Sequence, residues 1–148
     1  MATNHKLSLS VQYADERLKD VLARPLLRRW VQAALLAPAQ LTLRFVNADE
    51  GRELNRDYRG KDYATNVLTF PYDNDLVIAD IILCSDVLLA EAAEQGKTLE
   101  AHAAHLIVHG VLHAQGYEHE TDEEADEMET LEAEILARLG FANPYEEN

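Results

Sequence analysis

The sequence predicts an α+β fold in which a small, mixed, four-stranded sheet packs with about five helices. Two segments, 7–13 and 41–46, alternate apolar and polar residues, as half-buried strands do. The segment 76–84 is almost wholly apolar, which is typical of a central strand. The segment 98–114 is apolar nearly all round, so we expect a buried helix that packs across the sheet.

Proline and capping residues divide the first half of the chain. Asp15 and Glu16 open a helical pattern that Pro25 interrupts. Because proline is tolerated in a first helical turn, a second helix is expected to start near Pro25. Asp49 can cap a third, short helix. The predicted elements are strands 7–13, 41–46 and 67–70, and helices from residue 15, over 25–36 and over 51–58.

Helix boundaries are marked more strongly in the second half. Asn74-Asp75 predicts a turn before the central strand. Ser85 is expected to cap the helix that follows it. Thr121, with Glu124 three residues later, has the capping-box pattern of a last helix. The predicted elements are strand 76–84 and helices 86–95, 98–114 and 122–139.

Length and cysteine content indicate a single cytoplasmic domain. A chain of 148 residues is expected to form one domain, 1–148. Its one cysteine, Cys84, excludes an internal disulfide and reads as a reduced core residue. No stretch reaches the roughly 20 apolar residues that span a bilayer, and the first residues lack the apolar region of a secretory signal. We therefore expect no membrane association.

Charge is distributed unevenly along the chain. The formal net charge is −14, which argues against non-specific binding of nucleic acid. Residues 1–66, however, carry 11 basic and 8 acidic side chains, whereas residues 67–148 carry 2 basic and 19 acidic ones. The first half can therefore present a local basic surface.

Three histidines have the spacing of metal ligands. His109 and His113 are four residues apart, so on a helix both side chains lie on one face. Gly116 lets the chain leave the helix, and His119 can then return as a third ligand. Three neutral nitrogens without a fourth protein ligand describe an open, zinc-type site, which can lower the pKa of a bound water to about 7. His102 and His105 lie near the same stripe but are interpreted as core residues.

The residue after the first histidine argues against a protease. The spacing from His113 to His119 matches the second half of the metzincin protease motif. Gly110, however, occupies the position where those proteases carry their glutamate base. Glu118 can act as a base in principle, although a carboxylate beside a ligand more often orients that ligand.

A basic and aromatic segment precedes the third strand. Arg56, Arg59 and Lys61 alternate with Tyr58 and Tyr63. Such interleaving suits single-stranded RNA, whose bases stack on aromatic rings and whose phosphates need cations. On spacing alone, a polar surface loop explains the segment equally well.

These segments together resemble the YbeY family of bacterial metal-dependent endoribonucleases. The resemblance covers most of the chain in order, and the histidine motif with a tyrosine after the glycine is highly specific. The matching residues are Leu54-Asn55, Tyr58 to Asp62, Thr65 to Pro71, the strand 79–84, His109-Gly110, Leu112-His113, Gly116-Tyr117 and His119.

The resemblance implies a zinc-dependent endonuclease specific for single-stranded RNA. Such proteins act in 3′-end maturation of small-subunit (16S) ribosomal RNA and in ribosome quality control. The implied partners are single-stranded ribosomal RNA, the small ribosomal subunit and its assembly proteins. The implied ligands of one Zn²⁺ are His109, His113 and His119, together with a water. Arg59 is implied as the phosphate-facing catalytic residue, and His113 is implied as a second catalytic residue.

The resemblance also suggests how RNA approaches. RNA is expected to cross the basic half of the chain, over Arg59 and with weaker contacts from Arg56, Lys61 and Tyr58. The acidic last helix is expected to face elsewhere. The family often has aspartate before its third histidine, whereas this chain has Glu118.

Two other functions stay open at this point. One is a metal-dependent hydrolase of another class, such as an unusual peptidase. The other is a non-enzymatic ribosome-assembly factor with a structural metal. Three ligands count against the second, because structural zinc sites are usually closed by four.

Overall fold

The structure, a computed structural model, describes residues 5–72 and 76–146. Within these ranges lie four strands and five helices, which confirm the predicted α+β class. The strands are β1 (Leu7–Tyr13), β2 (Ala39–Val46), β3 (Val67–Pro71) and β4 (Val77–Cys84). The helices are α1 (Arg24–Ala34), α2 (Ala48–Arg59), α3 (Ser85–Glu94), α4 (Leu99–Ala114) and α5 (Asp122–Arg138).

The sheet is mixed, and β4 lies inside it as predicted. Its strand order is β1-β2-β4-β3. The pairs β1–β2 and β2–β4 are parallel, whereas β3 runs antiparallel to β4. Ile81 of β4 stands between Leu43 of β2 and Thr69 of β3, near the middle of the sheet.

Helix α4 packs on the sheet and is largely buried, as its apolar composition predicts. Gly110 marks the closest approach, because a Cβ atom there would lie 3.0 Å from Ile81 Cγ2 and 3.5 Å from Thr69 Oγ1. Glycine thus allows the helix backbone to sit directly against β3 and β4. Neither α4 nor any other helix in the described ranges is long and apolar enough to cross a membrane.

The segment after β1 is not the helix that the sequence predicted. Residues 14–23 form turns, and α1 begins at Arg24, beside Pro25. The Asp15 carboxylate accepts a hydrogen bond from the backbone N–H of Arg17 and bonds the guanidinium of the same residue. Such side-chain bonds to nearby backbone stabilise a turn at the expense of a helix.

Two predicted helix caps were wrong by one or two residues. Helix α2 is capped by Asn47, whose Oδ1 accepts from the N–H of Glu50 at 2.9 Å, and not by Asp49. Helix α3 begins at Ser85 itself, because β4 runs straight into it. The capping box of α5 at Thr121 is confirmed. The predicted turn at 74–75 lies outside the described residues.

Candidate active site

Three histidine rings face one another at the C-terminal end of α4. His109 and His113 are one helical turn apart, and their ring centroids lie 6.4 Å apart with planes inclined by 17°. His119 follows the helix, and its ring centroid lies 5.2 Å from that of His109 and 6.2 Å from that of His113. The linear spacing thus becomes a triangle of imidazoles.

A glycine turn folds the chain back onto His113. Gly116 has a φ of 102°, a conformation that favours glycine. The N–H of Gly116 donates to the carbonyl of His113, and that of Tyr117 donates to the carbonyl of Leu112, which together form a Schellman motif. The Tyr117 carbonyl then lies 2.9 Å from His113 Nδ1. Because a carbonyl only accepts, the proton of neutral His113 is on Nδ1, and Nε2 carries a lone pair.

His109 is oriented by a buried carboxylate instead of the backbone. Its Nδ1 lies 2.7 Å from Oε2 of Glu132, a residue of α5 that is 0% exposed. The other oxygen, Oε1, accepts from Nε2 of His105 at 3.1 Å and from the hydroxyl of Tyr145. Burial raises the pKa of Glu132, but the hydrogen bonds from His105, His109 and Tyr145 together lower it to about 2. The ionised carboxylate can only accept, so neutral His109 also has its lone pair on Nε2.

These anchors suit the helical histidines to a metal ion. A metal-binding histidine usually donates its second ring nitrogen to a carboxylate or carbonyl, as His109 and His113 do. In the described ranges, no three histidine, cysteine, aspartate or glutamate side chains are close enough to hold an ion as they stand. His119 is exposed and follows the helix, so its side chain can move toward the other two.

A cleft of about 570 Å³ joins the histidines to the basic segment. All three rings line it, together with Tyr58, Arg59 and residues of β3. The Arg59 side chain is exposed, and its guanidinium has no hydrogen bond or ion pair with any residue in the described part of the chain. The cleft therefore combines three imidazoles with an unpaired guanidinium.

The position of Arg59 follows from the end of α2. Gly60 adopts the left-handed conformation, with a φ of 69°, and ends the helix immediately after Arg59. The loop that follows is fixed by Asn55, a buried residue whose Nδ2 donates to the carbonyl of Tyr63 at 2.7 Å. Asp62 in the same loop accepts two hydrogen bonds from Arg52. These bonds explain why an asparagine precedes the basic segment.

Only part of the basic segment lines the cleft. Tyr58 lies in the cleft with 69% of its surface exposed, and its ring contacts Phe70 edge to face at 5.1 Å. Arg56, Lys61 and Tyr63 are exposed but do not line the cleft. Geometry thus singles out Tyr58 and Arg59 from the five residues of the pattern.

Glu118 also lines the cleft, but it approaches the anchored side of His113. Its Oε2 lies 3.6 Å from Nδ1 of His113, the nitrogen that already meets the Tyr117 carbonyl. The carboxylate therefore approaches the protonated nitrogen of His113, Nδ1, and not Nε2, which carries the lone pair. This arrangement favours a role in orienting the histidine.

Glu132 and Tyr145 were missed by sequence reasoning, and His105 was taken for a core residue. Glu132 shares one face of α5 with three buried apolar residues, Met128, Ile135 and Leu136. A single glutamate on an otherwise apolar helical face is the sequence signal that could have found it. One face of the acidic helix therefore meets the site.

His102 is buried and belongs to a second hydrogen-bond network. Its Nε2 lies 2.9 Å from Oε1 of Glu91, which also accepts from Nδ2 of Asn66 at 3.1 Å. Asn66 lines the cleft just before β3. His102 therefore supports the cleft wall indirectly, through Glu91 and Asn66, and it has no ring contact or hydrogen bond with the three histidines.

The amino-acid sequence matches known proteins over nearly its whole length. Residues 3–140 match the family model described as endoribonuclease YbeY. A protein named endoribonuclease YbeY from Janthinobacterium sp. (strain Marseille) is 70% identical, and the alignment covers 98% of each chain. A protein of the same name from Herminiimonas arsenicoxydans is also 70% identical, over 95% of this chain and 96% of that one.

One solved structure has a similar fold. The solution structure of TM1509 from Thermotoga maritima superposes with a TM-score of 0.57 and covers 95% of this chain and 99% of the other. The two sequences are 24% identical, so this likeness concerns the fold.

Proposed function

The chain belongs to the YbeY endoribonuclease family, and from that premise we propose that it is a zinc-dependent endoribonuclease that cuts single-stranded RNA in the cleft between α2 and α4. Membership of the family supports hydrolysis of RNA. Zinc dependence and single-strand specificity are what the family resemblance implies, and the chemistry of the cleft supports both.

One observation carries the proposal: Arg59 lines the same cleft as His109, His113 and His119. Cleavage of a phosphodiester builds negative charge on the phosphate, which a positioned guanidinium stabilises by bidentate contact. Arg59 has no carboxylate partner among the described residues, so its charge is available to a phosphate. A structural loop would not require an unpaired cation beside three imidazoles.

The three histidines would hold the metal, His109 and His113 through Nε2. When bound, zinc supplies Lewis acidity and lowers the pKa of its water to about 7. His113 is fixed by the Tyr117 carbonyl and His109 by Glu132, so both nitrogens are oriented before an ion arrives. Glu132 also adds a buried negative charge behind His109, which favours a cation in front of it.

Tyr58 and Phe70 give the cleft its preference for single strands. Their rings meet edge to face in the cleft, and the Tyr58 ring is largely exposed. An unpaired base can stack on such a ring, whereas a base inside a duplex is already stacked on its neighbours.

We extend the proposal to the family's place in the cell. The substrate would be the 3′ region of small-subunit (16S) ribosomal RNA, met in the cytoplasm on the small subunit with its assembly proteins. The charge distribution supports an approach of RNA over the side of the cleft that holds Arg59. Residues 1–66, which include Arg59, carry more basic than acidic side chains, whereas the acidic excess lies in residues 67–148.

The decisive experiment compares metal-depleted and zinc-loaded protein on a single-stranded fragment of ribosomal RNA and on its duplex. We expect zinc-dependent cleavage of the single strand alone. His113→Ala should abolish it, whereas the control His5→Ala, outside the cleft, should not. End-group analysis of the fragments identifies the attacking oxygen.

Other results would select the alternatives. Zinc-stimulated hydrolysis of casein would indicate a peptidase. Zinc binding that is needed for folding, without any RNA cleavage by the wild-type protein, would indicate an assembly factor with a structural metal.

A further inference from the structure

A residue near the C-terminus reaches the helix that carries the histidines. Tyr145 follows α5, and its hydroxyl donates to Oε1 of Glu132. Its ring packs edge to face against His105, with centroids 5.3 Å apart and planes inclined by 87°. We propose that Tyr145 and His105 are positioning residues, which hold Glu132 so that its other oxygen fixes the orientation and tautomer of His109.

Hydrogen bonds alone hold the Glu132 carboxylate. Among the described residues, it pairs with no lysine or arginine, and its contacts are His105, His109 and Tyr145. A buried carboxylate is costly unless each oxygen has donors. The two donors on Oε1 therefore determine where Oε2, the oxygen that faces His109, comes to lie.

Tyr145 is suited to be a permanent donor. Burial raises the pKa of its hydroxyl, and the hydrogen bond to the Glu132 carboxylate raises it further. The phenol thus keeps its proton at neutral pH. His105 contributes the second donor through Nε2, at 3.1 Å from the same oxygen.

His109 differs from the other two histidines in this dependence. His113 is anchored by a backbone carbonyl that a side-chain substitution cannot remove. His119 has no hydrogen bond to any residue in the described ranges. Of the three rings, His109 is therefore the one whose hydrogen-bond anchor is a side chain of another helix, Glu132 of α5, which the segment after α5 holds in turn.

The inference rests on the proposed metal-binding role of His109, so its first measurement is made without metal. Long-range ¹H–¹⁵N NMR spectra of the imidazole nitrogens report the tautomer of His109 in the wild type, Tyr145→Phe and Tyr72→Phe. Tyr72 is a matched control, because its hydroxyl also donates to a carboxylate, Asp80 Oδ2 at 2.6 Å, but that carboxylate has no hydrogen bond to a histidine among the described residues. Tyr145→Phe keeps the ring on His105 and removes the hydroxyl, together with its contacts to Glu132 Oε1 and to His105 Nε2, the latter at 3.0 Å.

The second measurement is zinc affinity, determined by competition with a chelator. We expect the wild type and Tyr72→Phe to hold His109 as the Nδ1–H tautomer and to bind zinc equally. Tyr145→Phe should give a mixture of tautomers and bind zinc about tenfold more weakly, the lower end of the range for outer-shell partners. His105→Ala should change both quantities in the same direction, and it carries the test if Tyr145→Phe does not fold.

The possible failures are distinguishable. A wild-type tautomer and wild-type zinc affinity in both variants would overturn the positioning role while the proposed function stood. A wild-type protein that binds no zinc would overturn the proposed function, but a tautomer shift in Tyr145→Phe would still establish the positioning role.

Discussion

Gly110 of α4 lies directly against Ile81 of β4, so that a Cβ atom on the glycine would sit 3.0 Å from the Ile81 Cγ2 methyl. The absence of a side chain at this position lets the helix that carries His109 and His113 lie close against the sheet. The same position holds the catalytic glutamate in metzincin proteases. The absence of a protease base is therefore tied to how the helix packs.

Restoring the protease pattern should damage the protein without giving it peptidase activity. Gly110→Glu would force a carboxylate between α4 and the sheet, and we expect the free energy of unfolding to fall by at least about 2 kcal/mol. Urea unfolding and a casein assay test this. Ala90→Glu, an exposed position of α3, is the control and should change stability by less than about 0.5 kcal/mol. Casein hydrolysis by a folded Gly110→Glu variant would contradict the prediction.

Arg59 and Arg56 should differ sharply in their effect on catalysis, although both lie on α2. Arg59→Ala removes the unpaired guanidinium of the cleft, and we expect kcat on single-stranded RNA to fall about 100-fold. Zinc content should not change, because no histidine contacts are lost. Arg56→Ala should stay within about threefold of the wild type, since Arg56 does not line the cleft. Equal losses of kcat in the two variants would instead indicate that the positive charge of α2 matters, whatever the position of the arginine.

Tyr58 should contribute to RNA affinity by stacking. Tyr58→Ala is expected to weaken binding of a single-stranded oligonucleotide about tenfold, since base stacking on an aromatic ring is worth roughly 1–3 kcal/mol. Fluorescence anisotropy with inactive, metal-depleted protein measures this directly. Tyr58→Phe should restore affinity, and Tyr63→Ala, outside the cleft, should change it less than about twofold. Unchanged affinity in Tyr58→Ala would remove the stacking role.

Asp15 should make stability depend on pH. The hydrogen bond from Arg17 lowers the pKa of Asp15 below its usual 3.8, against a smaller effect of burial. A carboxylate with a lowered pKa stabilises the fold above pH 3.8 and loses that contribution as the pH falls through its folded-state pKa. Asp15→Asn should therefore lower the urea midpoint at pH 7 and approach the wild type below pH 3.8.

A second aspartate provides the control for this pH dependence. Asp62 also pairs with an arginine, but Arg52 and Asp62 are 56% and 58% exposed, whereas the Asp15 side chain is 7% exposed. Solvent screens exposed pairs, so Asp62→Asn should show little change at either pH. If the urea midpoints of Asp15→Asn and the wild type differed by the same amount at pH 7 and below pH 3.8, titration of Asp15 would not contribute to stability.

Local features of the fold were predictable from sequence. The strands, the capping box at Thr121 and the histidine spacing depend on backbone hydrogen bonding and on periodicities of two and 3.6 residues, which neighbouring residues determine. The errors at Asp49 and Ser85 also arise from this local character. A helix that begins one or two residues earlier fits the same sequence pattern equally well.

The sequence by itself determined that His109 and His113 share one helical face and that Gly116 turns the chain toward His119, since both follow from local geometry. Only the tertiary structure decided that Arg59 shares a cleft with these rings and that Glu132 stands behind His109. The positions of Arg59 and Glu132 relative to the rings depend on how α2, α4 and α5 pack on one another and on the sheet. Packing between distant elements is set by the shape of the whole core, which no short pattern contains.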